Sequence, residues 1–600
     1  MKSKTLTCIT AMALLAALAI PIQLAAQDAQ ANQTKHHHYQ LIDLGTLGGP
    51  TAYKSVNAPG YQIINNAGVI AFAADTPMQD PFAPNCYVAD CFVSHAIRWK
   101  NGAVTDLGAL PGEGNGSQSG AINARGWIAG QSENGAIDPV TGLPEWRATF
   151  WKDDQITDLG TFGGNWSLAA TLNDKGQVVG SATNSTPDPF SLLLVPFVVG
   201  FGGTQTRAFL WQKDAIQDLG TLGGPDAQAL SVNGHGQIAG VSYTNATPNP
   251  TTGIPTLHPF LWDKQHGMQD LGTLGGTYAD SFALTGDEGS LLVNNQGQVI
   301  GLSTLSGDQT YHPFLWDHGK LRDLGTLGGD NGTAVWLTDT GEVLGQADLP
   351  GSLSHHAFRW KNGVMKDLGT IGTDPCSRAL MANSGGQIVG TTISVCGDLT
   401  THPFLWENGG PMVDLNTLLP AGSGAPLFEA DNINEQGEIV ASGLPVGCND
   451  RFSCGHVYLL IPCDENHPGV EGCDYSLFDA TTAARVSPAP ATENPAALPP
   501  GNHRPMGMWN RFRFPLGQRS PSSRTDWSTE DVLDLPYLGG HRGLSEADSN
   551  GKLDLLACPK RGCGGFVFGC QSCGCNGCCT VGHSPRSCRD TKGICFKCIP

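Results

Sequence analysis

Two side chains recur along this sequence at a spacing that invites a chemical reading. An aspartate opens Asp-Leu-Gly at Asp43, Asp106, Asp158, Asp218, Asp270, Asp323 and Asp367, and Asp-Leu-Asn at Asp414. A histidine opens His-Pro-Phe-Leu-Trp at His258, His312 and His402, and stands at His95, His356 and His456 in variant copies, where Arg147 and Arg207 also occur. Aspartate and histidine are the raw material of metal sites and of acid–base relays. Their recurrence argues against both. A catalytic group is needed once, whereas these return every roughly 45 to 60 residues, the period of propeller blades. An aspartate in such a pattern reads as the acceptor for N–H groups of its own turn, and the histidine as part of the same repeat.

Groups that break the pattern carry the functional reading. Trp146, Trp166 and Tyr278 are aromatic where the other copies are not. Exposed, they would stack on sugar rings or grip a peptide; buried, they would anchor loops. They are the ligand-contact candidates. Glu145, Asp226 and Asp280 are the off-pattern carboxylates, and glycoside hydrolysis needs two of them about 5–10 Å apart. Nucleophile-elbow, zinc-helix and phosphate-loop motifs are absent. No catalytic residue, metal set or cofactor is assigned. His36–His38 would suit a metal, but reads as a solvated leader.

Each repeat places its residues on four short strands. Strand A is a small-residue and apolar run ending in Asn-x-x-Gly, as at Asn173–Gly176. Strand B follows at once (Gln177-Val-Val-Gly180), strand C is Phe-Leu-Trp, and strand D runs into Asp-Leu-Gly. The Asn recurs at 65, 123, 173, 233, 294, 383 and 434, with Thr338 in the remaining copy. Runs of this length are strands rather than helices, and Asn-x-x-Gly is a hairpin turn in which Gly supplies φ > 0. The phase is informative. The chain opens on a lone D strand at Tyr39–Leu44 and closes on a lone C strand at His456–Ile461. Pairing those two shuts a ring, so the expected fold is all-β, an eight-bladed β-propeller of four-stranded blades.

These composite motifs resemble the HAF family of extracellular bacterial repeats, through His356-Ala-Phe358 and its relatives over about residues 39–465. The resemblance implies a secreted bacterial protein. It brings no activity and no catalytic residues.

In such a ring the A–B and C–D turns share one end, and the B–C and D–A loops share the other, called the top. Length variation falls on the top. Long B–C loops run Ala71–Ser94, Gln131–Trp146, Ser181–Thr206 and Val241–Leu257, in the first four blades. Loops on a rigid scaffold are the usual place for binding. A ligand surface there, for a glycan or a protein, is the expected function; an extracellular carbohydrate-active enzyme is the alternative.

Composition agrees. Charged residues are only 15%, Gly (79) and Pro (39) are abundant, and net charge is −20, which argues against nucleic acid or anionic membrane as partner. A monomer is expected. Lys2, Lys4 and the apolar Ala11–Ile20 read as a secretory signal within residues 1–31, cleaved after 26 or 31, and too short to span a membrane. Secreted or periplasmic location follows.

Cysteine usage suits an oxidising compartment. Proximity pairs Cys86 with Cys91, Cys376 with Cys396, Cys448 with Cys454, and Cys463 with Cys473. Residues 474–557 read as a Pro/Arg-rich, largely disordered linker. Its Glu546–Asp554 stretch imitates a calcium loop but has Ala557 at the twelfth position. Residues 558–600 hold ten cysteines and read as a disulfide mini-domain, with zinc as the second reading.

Overall fold

The computed structural model describes residues 35–480, except 55–60, 82, 84–85, 87–89, 113, 140–143, 193–202, 282–288, 398–400, 408, 421 and 424, together with 587–589 and 595–597. The expected signal segment, most of the linker and most of the Cys-rich tail lie outside the described residues. In the C-terminal unit, Ser587–Arg589 pairs antiparallel with Cys595–Lys597.

Four-stranded antiparallel sheets follow one another along the chain in the order A-B-C-D. The second, for example, is Ser117–Ile122, Ile128–Ile137, Pro144–Lys152 and Gln155–Asp158. Two neighbouring sheets merge through one parallel contact, Leu257 with Tyr278. The last sheet takes its D strand from the start of the ring. Tyr39–Asp43 lies antiparallel to His456–Pro462, with Asp43 opposite Tyr458 and Tyr39 opposite Pro462. A strands of consecutive sheets approach one another while D strands stay outermost. The fold is a β-propeller of repeated blades.

Local chemistry explains the repeated residues. Strand B carries a glycine at 130, 180, 240, 301, 345 and 390. A Cβ on Gly180 would stand 2.1 Å from Leu168 O and 2.9 Å from the Phe209 ring. The missing side chain lets strand A bulge toward B, and lets the Phe of strand C lie over it. The C-strand Phe and Trp fill the space between blades: Phe209, Phe260, Phe314, Phe358 and Phe404 are all fully buried.

The Asn of Asn-x-x-Gly has a different role from the one its backbone tolerance suggests. None of the seven adopts positive φ; the Gly does, as at Gly176 (φ 74°). Asn173 Oδ1 instead accepts the N–H groups of Lys175 (3.0 Å) and Gln177 (3.2 Å), and its Nδ2 donates to Asn233 O of the next blade at 2.9 Å. The same bond runs from Asn65 to Asn123 O, Asn123 to Asn173 O, Asn233 to Asn294 O, Asn294 to Thr338 O and Asn383 to Asn434 O. Asn434 Nδ2 then donates to Asn65 O at 3.2 Å, across 369 positions of sequence. Thr338 interrupts this circle. Its hydroxyl is occupied by Glu342 N–H and Thr340 (both 3.0 Å), and it has no amide to offer Asn383 O.

Outside the ring, the His-rich stretch is not a solvated leader. Lys35–His37 is a strand paired with Leu477–Asp479, a piece of the expected linker that is ordered against it. His36 is fully buried, with Nδ1 2.8 Å from Glu407 Oε1. The ring meets the Glu407 carboxylate through Nδ1, while its buried Nε2 has no hydrogen-bond partner.

Two substitutions test the amide circle. Thr338→Asn should supply the missing bond and raise stability by about 0.5–1.5 kcal/mol. Asn434→Ala should lower it by about 1–3 kcal/mol by orphaning buried backbone groups. Chemical denaturation of the full chain measures both.

Candidate functional site

The recurring aspartates face their own turns. Gly45, Gly108, Gly160, Gly220, Gly272, Gly325 and Gly369 each donate N–H to the Asp two residues earlier. The strand C histidine lies beside the same carboxylate: His95 on Asp106, His258 on Asp270, His312 on Asp323, His356 on Asp367 and His456 on Asp43, at 2.9–3.0 Å. Arg207 takes that place on Asp218. Partial burial alone would raise Asp43, Asp106 and Asp270, but the histidine and Gly N–H bonds outweigh it and hold all three below the usual range. These pairs fasten strand C to strand D in six blades; elsewhere Arg147 turns to Glu145 and His402 to Asp374.

The long segments at the top are not open loops. Strand B continues to Gln79, Ile137, Asp188 and Pro248 in the first four blades, and pairs there with strand C after a bulge. Each extension ends in Asx-Pro: Asp80-Pro81, Asp138-Pro139, Asp188-Pro189 and Asn249-Pro250. This second repeat is visible in the sequence but hidden by unequal loop lengths. Asp188 Oδ1 accepts Phe190 N–H and Asn249 Oδ1 accepts Thr251 N–H, both at 2.8 Å. The arms lean on the following blade. Trp166 donates its indole N–H to Asp138, Asp188 lies against Asp226, and Asp80 adds its charge beside Glu133.

The three aromatic candidates are buried: Trp146 (3% exposed), Trp166 (8%) and Tyr278 (5%). Trp166 anchors the arm just described, and Tyr278 donates its hydroxyl to Asp280 at 3.0 Å. Trp146 lines a small cleft between the first two blades with Asp80, Ser94, Gln118 and Glu133. Of the carboxylates, Glu145 is taken up by Arg147 and Asn134, both at 3.1 Å. Asp226 and Asp280 each add negative charge beside the buried Tyr243 phenol, as Asp188 does. The paired cysteines are bonded in all four cases, with Cα separations of 5.4–5.7 Å. Cys376, expected in a D–A loop, is the first residue of its strand A, and its bond to Cys396 ties that strand to the B–C loop of the same blade.

The innermost wall carries a charge constellation that sequence reading missed. Lys54 contacts Asp431 and, at 3.1 Å, Glu429; Arg378 lies 3.5 Å from Glu429, and Ser442 donates to Asp431 at 2.9 Å. Arg378 and Glu429 occupy strand A positions that other blades fill with Gln118, Leu168 and Gln228, as the register against strand B shows. That departure from the repeat was the available signal. Burial pushes Asp431 up more than Lys54 pulls it down; Glu429, facing Lys54 and Arg378, is held low despite burial. Lys54 and Glu429 sit deep yet keep 16% and 15% of their side-chain surface open. On the same blade as Lys54, Tyr61 donates to Leu230 O of the fourth blade at 3.1 Å, while Asn432 Nδ2 donates to the Tyr61 carbonyl. Among the described residues no group of three or more His, Cys, Asp and Glu is placed to hold a metal ion, and no helix is long and apolar enough to cross a membrane.

No protein-family model matches the chain, and no curated protein matches it in sequence. Solved propellers resemble it in fold. Dipeptidyl peptidase 4 of Porphyromonas gingivalis is 11% identical with a TM-score of 0.38 over 64% of this chain, which spans only 57% of that one. The β-propeller domain of the Trilobed protease of Pyrococcus furiosus is 10% identical (TM-score 0.35, 61% of this chain and 95% of that). A PL25 ulvan lyase is 10% identical (0.31, 71% and 96%). The likeness is one of fold alone.

Several top-end carboxyls keep protons unusually late. Burial, then the neighbouring Asp90, raises Asp75 to about 7 against the Thr51 and Ser94 hydroxyls. Burial, with Asp80 adding to it, raises Glu133 to about 7 against the Gly116 N–H. Burial alone raises Asp280 to about 6. The folded chain therefore holds protons that the unfolded chain releases above about pH 4, so their contribution to stability falls as pH rises from about 4 to 7. In buffer free of divalent cations the unfolding midpoint should decline over that window, and Asp75→Asn should flatten the decline. Asp43, Asp106 and Asp270, held low, act oppositely, and only in acid, below about pH 4.

Proposed function

We propose that this chain is a secreted or periplasmic, eight-bladed propeller of the HAF type that acts by binding, with its ligand seated at the top of the axial channel. The observation that carries the reading is the Lys54–Arg378–Glu429–Asp431 constellation. Charges held deep cost free energy that a neutral wall would not. The other blades show that the fold does without them. Their residual exposure leaves carboxylate and ammonium groups able to meet a polar ligand entering between the arms. The disulfides support an extracytoplasmic setting. A hydroxyl-rich glycan or a polar protein loop fits such a wall, since each offers donors and acceptors to both signs of charge.

Asp280 supports the second reading, an extracellular carbohydrate-active enzyme. Its carboxyl, raised to about 6, keeps its proton into mildly acidic conditions, as a general acid requires.

Glycan and peptide arrays probed with the purified full chain test both. Binding by the channel predicts that Arg378→Gln and Glu429→Gln each weaken retention about tenfold or more. Retention unchanged in both variants would remove the channel as the site. Turnover on a glycoside panel that disappears in Asp280→Asn would favour the enzyme instead.

A further inference from the structure

The arms of the second and third blades make the same approach to their neighbours with opposite electrostatic results. Trp166 and Asp226 hold the same position, two residues after the second Gly of Gly-Gly in consecutive repeats. In one junction the arm's Asp138 receives the Trp166 indole N–H. In the next, the arm's Asp188 meets the Asp226 carboxyl, where a donor would be. Both acids are deeply buried, Asp188 at 5% exposure and Asp226 at 0%. Asp188 Oδ1 accepts Phe190 N–H, but Oδ2 is buried with no donor.

From this contrast we infer that a hard divalent cation, calcium by its chemistry, belongs between Asp188 and Asp226. Hydroxyl oxygens stand beside the two carboxyls. Ser191 Oγ and Thr206 Oγ1 lie 3.0 Å apart beside the pair. Asp226 is aimed by N–H bonds from Leu192 (2.7 Å) and Thr206 (3.0 Å), which leaves each of its oxygens a second lone pair. Tyr243 closes the site by donating its hydroxyl to Phe190 O at 3.0 Å. Asp280 adds a third negative group around the same phenol. The adjacent cation, Arg207, is committed elsewhere, to Asp218 (2.9 and 3.2 Å) and Pro225 O (3.1 Å). Carboxylates, hydroxyls and water are the donors that calcium takes, in flexible six- to eight-fold geometry. Without it, one carboxyl must keep a proton; burial and Asp188 raise Asp226 to about 8, which is the same deficit of positive charge seen another way. The cation would pin the third arm to the fourth blade.

Equilibrium dialysis of the full, oxidised chain against radioactive calcium at pH 7.5 tests this, with near-ultraviolet circular dichroism to verify folding. Asp188→Asn and Asp226→Asn should each lose one equivalent of bound calcium per chain. Asp138→Asn, in the junction already satisfied by Trp166, should lose none. Equal calcium binding by the native chain and Asp188→Asn, zero in both included, would overturn the proposal and leave a shared proton as what holds the pair. The result is independent of the channel reading, because Arg378→Gln should leave the calcium count unchanged.

Discussion

Everything in this molecule depends on one antiparallel pairing, Tyr39–Asp43 against His456–Pro462. A strand from the front of the chain supplies the outer edge of the last blade. With it, every blade has four strands and every A strand has a neighbour on both sides. Without it, one blade would expose an unpaired edge to water and to other chains. The amide circle at the opposite end of the blades runs through the same closure, from Asn434 to Asn65. Backbone pairing and side-chain bonding thus shut the ring at two levels, and the His36–Glu407 contact adds a third just outside it.

Polar groups are distributed by a consistent rule. Six of the recurring carboxylates sit at the perimeter with a histidine or arginine and a backbone N–H as partners, whereas Asp158 takes the Gly160 N–H and Asp414 takes Asn416. Where it is buried, it belongs to one junction only and its neighbours differ. Asp75 shares Thr51 with Asp90, Asp138 has an indole, and Asp188 has another acid. Burial of that kind is costly unless matched. The top of the propeller is therefore where the repeat has been modified, and where individual residues carry information.

The ring was legible because the motif order never changes, so a D strand without a C strand at the front and a C strand without a D strand at the back pointed to each other. The Asp-Leu-Gly turn was legible for the same reason. The Asn amide was only half readable: its turn is local, but its second bond goes to a residue about one repeat away. His36 misled because three histidines after an export-type leader look like solvated chain, and Glu407 lies 371 positions on. The Asx-Pro arms were obscured by the different lengths that follow each proline. Arg378 and Glu429 became visible only once strand A was aligned by its register against strand B. Trp166 and Tyr278 stood out by type, yet type alone did not distinguish a buried anchor from an open contact.

The closing strand also sets an order of events. Its partner is the last part of the ring to be synthesised, so Tyr39–Asp43 must wait through more than four hundred residues of translation with its N–H and C=O groups unpaired. Blades can collapse one after another meanwhile, since each is built from contiguous sequence. Only the circular step is non-local, and such contacts form slowly. A chain truncated before His456 would keep most of its sheets and still present a sticky edge, whereas a chain cut beyond Pro462 would not.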